Sequence, residues 1–119
     1  MCSSDLFTAV GTNAIATAAM LKAGAAQGAT GENPVLVACR TADIIVGPIG
    51  IVIADALTGE MSPEMAAAVG QSDAVRILIP VNRCENLVAG VADCSTTALL
   101  QSAVNMVLQT IRNQQEETC

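Results

Sequence analysis

Short apolar runs, each ending in a polar or glycine-rich tip, set the rhythm of the chain. They are Phe7-Thr8-Ala9-Val10 before Gly11-Thr12-Asn13, Asp43-Ile44-Ile45-Val46-Gly47 before Pro48, and Val75 to Val81 before Asn82-Arg83-Cys84. Continuous apolar runs of this length fit strands covered on both faces of a parallel sheet. Helical signals alternate with them. Thr12 or Asn13 caps a helix running to about Ala23, with Gly24 supplying its C-terminal stop. Ile15, Ala18, Ala19 and Lys22 recur at i, i+3, i+4 and i+7, so the first three are expected to face the sheet.

Gly28 to Asn33 reads as a polar, glycine-spaced loop. Asn33-Pro34 then opens a helix, as an N-cap followed by Pro at the first helical position. Periodicity alone leaves Val35 to Arg40 open between strand and helix; the cap and the nearness of the next strand select a helix. Gly47 to Gly50 turns, Ile51 to Leu57 forms a short helix ending near Gly59, and Ser62-Pro63 opens a helix that stops at Gly70. Leu87 to Val91 reads as a short edge strand. Asp93 or Ser95 then caps a long C-terminal helix, with Leu99, Ser102, Ala103, Met106, Leu108 and Ile111 as inner or flanking positions. Residues 113–119 form a frayed polar tail. With no internal repeat and no linker, residues 7–112 make one α/β domain around a mostly parallel sheet.

In such sheets ligands bind at the carboxyl ends of strands, where helix N-termini offer backbone amides. One continuous sheet would bring four groups to that edge: Gly11, Thr12 and Asn13; Thr30, Gly31, Glu32 and Asn33; Gly47 and Pro48; Asn82 and Arg83. Each also has a structural reading. Thr12, Asn13 and Asn33 suit helix caps, Gly47-Pro48 suits a turn, and Arg83 can clamp a phosphate or carboxylate or pair with Glu85 or Glu32. Cys84 has the chemistry of a nucleophile but no histidine to activate it; a packed, unreactive thiol is the simpler reading. Glu60 and Glu64 read as solvated carboxylates near a helix start.

Composition narrows the partners. The chain is 52% apolar, carries a net charge of −6 and has a single aromatic, Phe7. An acidic surface without stacking platforms argues against nucleic acid. No run reaches the ~20 apolar residues of a membrane helix, and no secretion signal opens the chain. Five scattered cysteines with no CxxC pair, and no histidine at all, argue for reduced thiols in a cytoplasm and against a metal site. A small anionic ligand at the strand tips is the leading expectation, with homo-oligomerisation open.

Met1-Cys2-Ser3-Ser4-Asp5-Leu6 is an unusual opening: a polar hexapeptide running straight into a strand. Cys-Ser-Ser-Asp-Leu is also what a common sequencing-adapter DNA encodes in one frame. Residues 1–6 are therefore expected to be a non-native leader standing where an N-terminal segment was lost; a genuine disordered leader is the alternative.

Gly11-Thr12-Asn13-Ala14-Ile15-Ala16-Thr17, Gly28-Ala29-Thr30-Gly31-Glu32-Asn33, Asp43-Ile44-Ile45-Val46-Gly47, Gly59-Glu60-Met61-Ser62-Pro63 and Ile79-Pro80-Val81-Asn82-Arg83-Cys84 together resemble a bacterial family, the domain-of-unknown-function 3842 family. The resemblance spans roughly Ala9 to Val91. It implies a Rossmann-like three-layer sandwich that here lacks its first strand and helix, because members open with a strand and a glycine-rich loop of the form Asp-Gly-Gln-Gly-Gly-Gly-Ile-Gly. By that resemblance a dinucleotide is a candidate cofactor of the complete protein. Many members carry a Thr-Gln-Glu-like tip where this chain has Asn82-Arg83-Cys84, which weakens a general role for Arg83 or Cys84. Three functions follow as expectations: a binding domain for an anionic metabolite or nucleotide, a nucleotide- or nicotinamide-dependent enzyme working through Glu32 or Cys84, or a partner-binding subunit.

Overall fold

The protein is described by a computed structural model over residues 7–81, 87–90 and 95–118. In chain order it forms β1 (Thr8–Gly11), α1 (Ala14–Lys22), β2 (Gln27–Thr30), α2 (Glu32–Thr41), β3 (Ile44–Pro48), a 3-10 turn (Ile49–Val52), α3 (Pro63–Gln71), β4 (Val75–Ile79) and α4 (Thr96–Thr118). The α/β class holds. Among the described residues, however, the strands form two separate parallel pairs instead of one continuous sheet. β1 pairs with β2 from Thr8↔Gln27 to Gly11↔Thr30, and β3 with β4 from Ile44↔Val75 to Pro48↔Ile79.

Side chains fix how the pairs are related. Ser62 Oγ, at the start of α3, donates to Glu32 at the start of α2, and Ser72 Oγ, just past α3, donates to the Cys39 carbonyl near the end of α2. The two helices therefore run the same way along one another. Each leads back into a strand, β3 and β4, and the bonds Asn13–Glu60 and Ser62–Glu32 bring the carboxyl ends of β1 and β2 beside the segment that joins β3 to α3, as a common rim.

Local chemistry explains where the elements differ from the periodicity. Asn13 caps α1 in extended conformation, and its side-chain oxygen accepts from the Ala16 amide at 2.9 Å. The helix buries Thr17, at 5% exposure, and leaves Ile15 84% exposed with Ala18 and Ala19 also outside. Alanine on every side gives the helix no dominant apolar stripe. The inner face is chosen by fit: Thr17 seats against Gly11 and Gly28, where a Cβ would come within 2.3 Å of Thr17 Oγ1 and 3.0 Å of Thr17 Cγ2 respectively.

Gly28 to Thr30, expected as the start of a loop, belong to the strand Gln27–Thr30 because that segment finds β1 as a partner; backbone pairing outweighs its low β-propensity. The cap of α2 is Gly31, at φ 108°, so Asn33 and Pro34 lie inside the first turn. Pro is tolerated there because first-turn amides have no helical acceptor. The helix expected over Ile51 to Leu57 is instead one 3-10 turn followed by a tight loop in which Asp55, Leu57 and Thr58 take positive φ. Ala56 and Met61 anchor that loop in the interior, at 6% and 2% exposure. Leu87 is exposed and leads to a turn at Ala89-Gly90, so the edge strand does not form over residues 87–90.

Ser95 caps α4: its hydroxyl accepts from the Ala98 amide at 3.1 Å. The helix continues through Thr118, where a frayed tail was expected. Its Ala103 is buried with Ile77 and Ile79 of β4, and Ile44, Val81, Leu99 and Val107 pack around them. Ser102, Met106 and Leu108, expected on or beside the inner face, are exposed.

Candidate functional site

The rim formed by the strands' carboxyl ends is where the sequence placed its site. Gly11 ends β1 with so little space that an added Cβ would also meet the Thr17 amide nitrogen at 2.8 Å and the Asn13 carbonyl at 3.0 Å. This tight exit turns the chain from strand into α1 across Thr12 and Asn13. Thr17 then ties α1 to β2. Its hydroxyl lies 3.2 Å from the carbonyls of Asn13 and Ala29, and accepts from Thr30 Oγ1 at 2.8 Å. The Gly31 amide closes the junction by donating to the Gly11 carbonyl at 2.9 Å.

Two further bonds carry the rim across to the second pair of strands. Asn13 Nδ2 donates to Glu60 Oε1 at 3.1 Å, and Ser62 Oγ donates to Glu32 Oε1 at 2.7 Å. Ser62 also accepts from the Met65 amide at 3.2 Å, so one hydroxyl caps α3 and reaches α2. The N-termini of α1, α2 and α3 are gathered at one place by these contacts. Glu32 and Glu60 are both exposed, each with a second carboxylate oxygen available to a hydrogen-bond donor.

Of the residues singled out from sequence, Asn13 and Glu32 stand on this rim through side-chain bonds, Gly11 and Gly31 shape its backbone, and Thr30 bonds inward to Thr17. Thr12 is half-buried at the turn, and Asn33 is exposed in the first turn of α2. Gly47, next to last in β3, lies against Ile51, whose Cδ1 would sit 2.9 Å from an added Cβ, and Pro48 ends the strand and leads into the 3-10 turn. Asn82 and Arg83 lie outside the described residues, as does Cys84. Sequence reasoning missed Glu60 and Ser62 as rim residues and Thr17 as the pin beneath it. Ser62 was visible as a cap, but the long-range partners of Glu60 and Thr17 have no local sequence signature.

The donor set bears on the candidate ligands. No Gly-x-Gly-x-x-Gly spacing occurs in the sequence, so the residues present do not build the dinucleotide phosphate loop. Among the described residues no cluster of His, Cys, Asp and Glu could hold a metal ion, and no helix is long and apolar enough to cross a membrane. Cys39, half-buried between α2 and α3, has its thiol pushed above the ordinary cysteine range by burial, which disfavours thiolate chemistry there.

A family model settles the kinship: Domain of unknown function (DUF3842) matches residues 3–112. The chain belongs to the DUF3842 family. No curated protein and no solved structure matches it.

Proposed function

We propose that this DUF3842 chain binds a small anionic metabolite or nucleotide at the carboxyl-end rim. The observation that carries the reading is the pair of bonds Asn13–Glu60 and Ser62–Glu32, which brings three helix N-termini together at one edge of the strands. Helix N-termini carry partial positive charge and orphan amides suited to phosphate or carboxylate. The free oxygens of Glu32 and Glu60 suit the hydroxyls of a sugar, and their negative charge disfavours a ligand that is anionic throughout. A nucleoside phosphate or sugar phosphate, with one charged end and one hydroxyl-bearing end, matches both halves of the rim.

A thermal-shift screen of the chain against nucleotides, dinucleotides and sugar phosphates tests this. A ligand at 100 times its dissociation constant adds about 2.7 kcal/mol of stability. The expected outcome is a rise in Tm with a phosphorylated, hydroxyl-bearing compound that shrinks in Glu60→Gln and Glu32→Gln. No shift across the panel, or a shift indifferent to both substitutions, would remove the rim as the site.

A further inference from the structure

We infer that α4 is a self-association surface: two copies of this chain pair α4 against α4, antiparallel, about a two-fold axis at Val104. The pairing uses α4 alone and does not depend on the ligand reading.

One side of α4 is used within the fold. Leu99, Ala103 and Val107, at i, i+4 and i+8, pack with Ile77 and Ile79 of β4. The neighbouring row is apolar too: Leu100, Val104 and Leu108 stand about half exposed. A helix that met only water beyond its buried stripe would carry charged side chains there. From Thr96 to Ile111 α4 carries none, although the chain has 5 basic and 11 acidic residues. The next row holds amides instead. Gln101 Nε2 donates to Asn105 Oδ1 at 3.1 Å, and Gln109 Nε2 to Asn113 Oδ1 at 3.2 Å. Exposed apolar residues in a stretch depleted of charge have the composition of an interface core.

The row itself selects a second copy as its occupant. Leu100, Val104 and Leu108 read the same in both directions about Val104. A two-fold contact requires that residue i meet residue j and j meet i. Antiparallel rows centred on Val104 satisfy this: Leu100 lies against Leu108 of the second copy, and Val104 meets its own equivalent. Packing the i±4 rows of two helices together is the commonest helix pairing, with axes crossing at about 50°. The flanking amides both donate and accept, so they can bond to the same groups on the second copy without any charged partner.

Charge points the same way. Each copy carries a net charge of −6, so two copies repel one another over most of their surfaces. The uncharged stretch of α4 is where they approach at least electrostatic cost. A basic partner would be drawn instead to exposed carboxylates such as Glu32, Glu60 and Glu64, none of them on this helix. From Leu100 to Leu108 the row is roughly 12 Å long. So short a contact falls below the standard interface size, which makes the dimer a reversible one with Kd on the order of 100 µM.

Sedimentation equilibrium of the chain from about 10 µM to about 1 mM tests the pairing. Monomer should pass to dimer and no further, because a two-fold contact closes on itself. Leu100→Lys and Leu108→Glu should each raise Kd by about tenfold or more, since each sets a charge against leucine. Combined in one chain they should recover most of the affinity. Antiparallel pairing sets the introduced lysine against the introduced glutamate of the second copy, whereas parallel pairing sets like charges together. Ser102→Lys, exposed on the far side of α4, should leave Kd unchanged. Circular dichroism of each variant at low concentration should match the parent, because all three positions are exposed. Raising salt from about 0.05 to about 0.5 M should tighten the dimer by screening the repulsion between acidic copies. The pairing is overturned by a monomer at every concentration, by association beyond a dimer, or by a Kd indifferent to Leu100 and Leu108. Failure of the combined variant to recover affinity, an equal loss in Ser102→Lys, or dissociation on added salt would overturn it as well.

Discussion

Gly11→Ala isolates the contact on which the rim is built. The new methyl would stand 2.3 Å from Thr17 Oγ1, 2.8 Å from the Thr17 amide nitrogen and 3.0 Å from the Asn13 carbonyl. The first obstacle is a side-chain atom held by hydrogen bonds to Asn13, Ala29 and Thr30; the other two are backbone in the first turn of α1. Overpacking of this kind destabilises by about 1–3 kcal/mol, and displacing the Thr17 hydroxyl from its partners adds about 1 kcal/mol. Against this, alanine restricts the unfolded chain and returns roughly 0.4–1 kcal/mol. The net loss should be about 2–3 kcal/mol, measured by urea unfolding followed by circular dichroism. In a Thr17→Ala background the hydroxyl obstacle is gone while the backbone remains, so Gly11→Ala should cost about 1 kcal/mol less there. A loss below about 0.5 kcal/mol in the unmodified chain, or strict additivity of the two substitutions, would refute the packing at this junction.

Gly70→Ala is the opposite case: it lies within α3 with nothing near an added Cβ, so urea unfolding should show a gain of about 0.5–1 kcal/mol. Ser62→Ala removes the α3 cap and the bond to Glu32 together and should cost about 1 kcal/mol by the same assay. Burial raises the Cys39 thiol, so its protonated form is favoured in the folded chain. That contribution is present below the unfolded thiol value and is lost as pH rises through the folded one; stability should therefore fall more between pH ~8 and ~10 in the parent than in Cys39→Ser.

What was legible in the sequence was what local chemistry decides. Thr12 or Asn13, Ser62-Pro63, and Asp93 or Ser95 announce helix starts through capping, and the structure uses Asn13, Ser62 and Ser95. What was not legible depended on partners distant in sequence. Gln27 to Thr30 has the composition of a loop and is a strand because β1 lies beside it. Ile15 fits an inward helical position and is outside because Thr17, a polar residue, matches the space over two glycines. The tight loop at Asp55 to Thr58 takes a conformation that those residue types disfavour, and bonds such as Asp55 N–H to the Met61 carbonyl at 2.7 Å hold it. The same limit applied to the site: Asn13 and Glu32 were chosen for local reasons, whereas Glu60 joined them only through a contact spanning 47 positions.

Charge decides what kind of ligand the rim can take. Helix N-termini attract anions, yet the side chains nearest them are Glu32, Glu60 and Glu64, and the positive ends of α2 and α3 are already partly answered by carboxylates in or beside their first turns. A simple anion such as sulfate therefore gains little at this edge and must approach two exposed carboxylates. A ligand that donates hydroxyl hydrogens to Glu32 and Glu60 turns both carboxylates into favourable contacts, and its charged end meets the α1 terminus, whose own first turn has no acidic residue. The consequence is a sign test. Glu60→Gln keeps an acceptor for the Asn13 amide and removes one negative charge, so a fully anionic probe such as inorganic pyrophosphate should bind more tightly to the variant than to the parent. A sugar phosphate should bind less tightly, since an amide oxygen is the weaker acceptor for its hydroxyl. Titration of both ligands by calorimetry separates the cases: opposite signs support the divided rim, and the same sign for both would refute it.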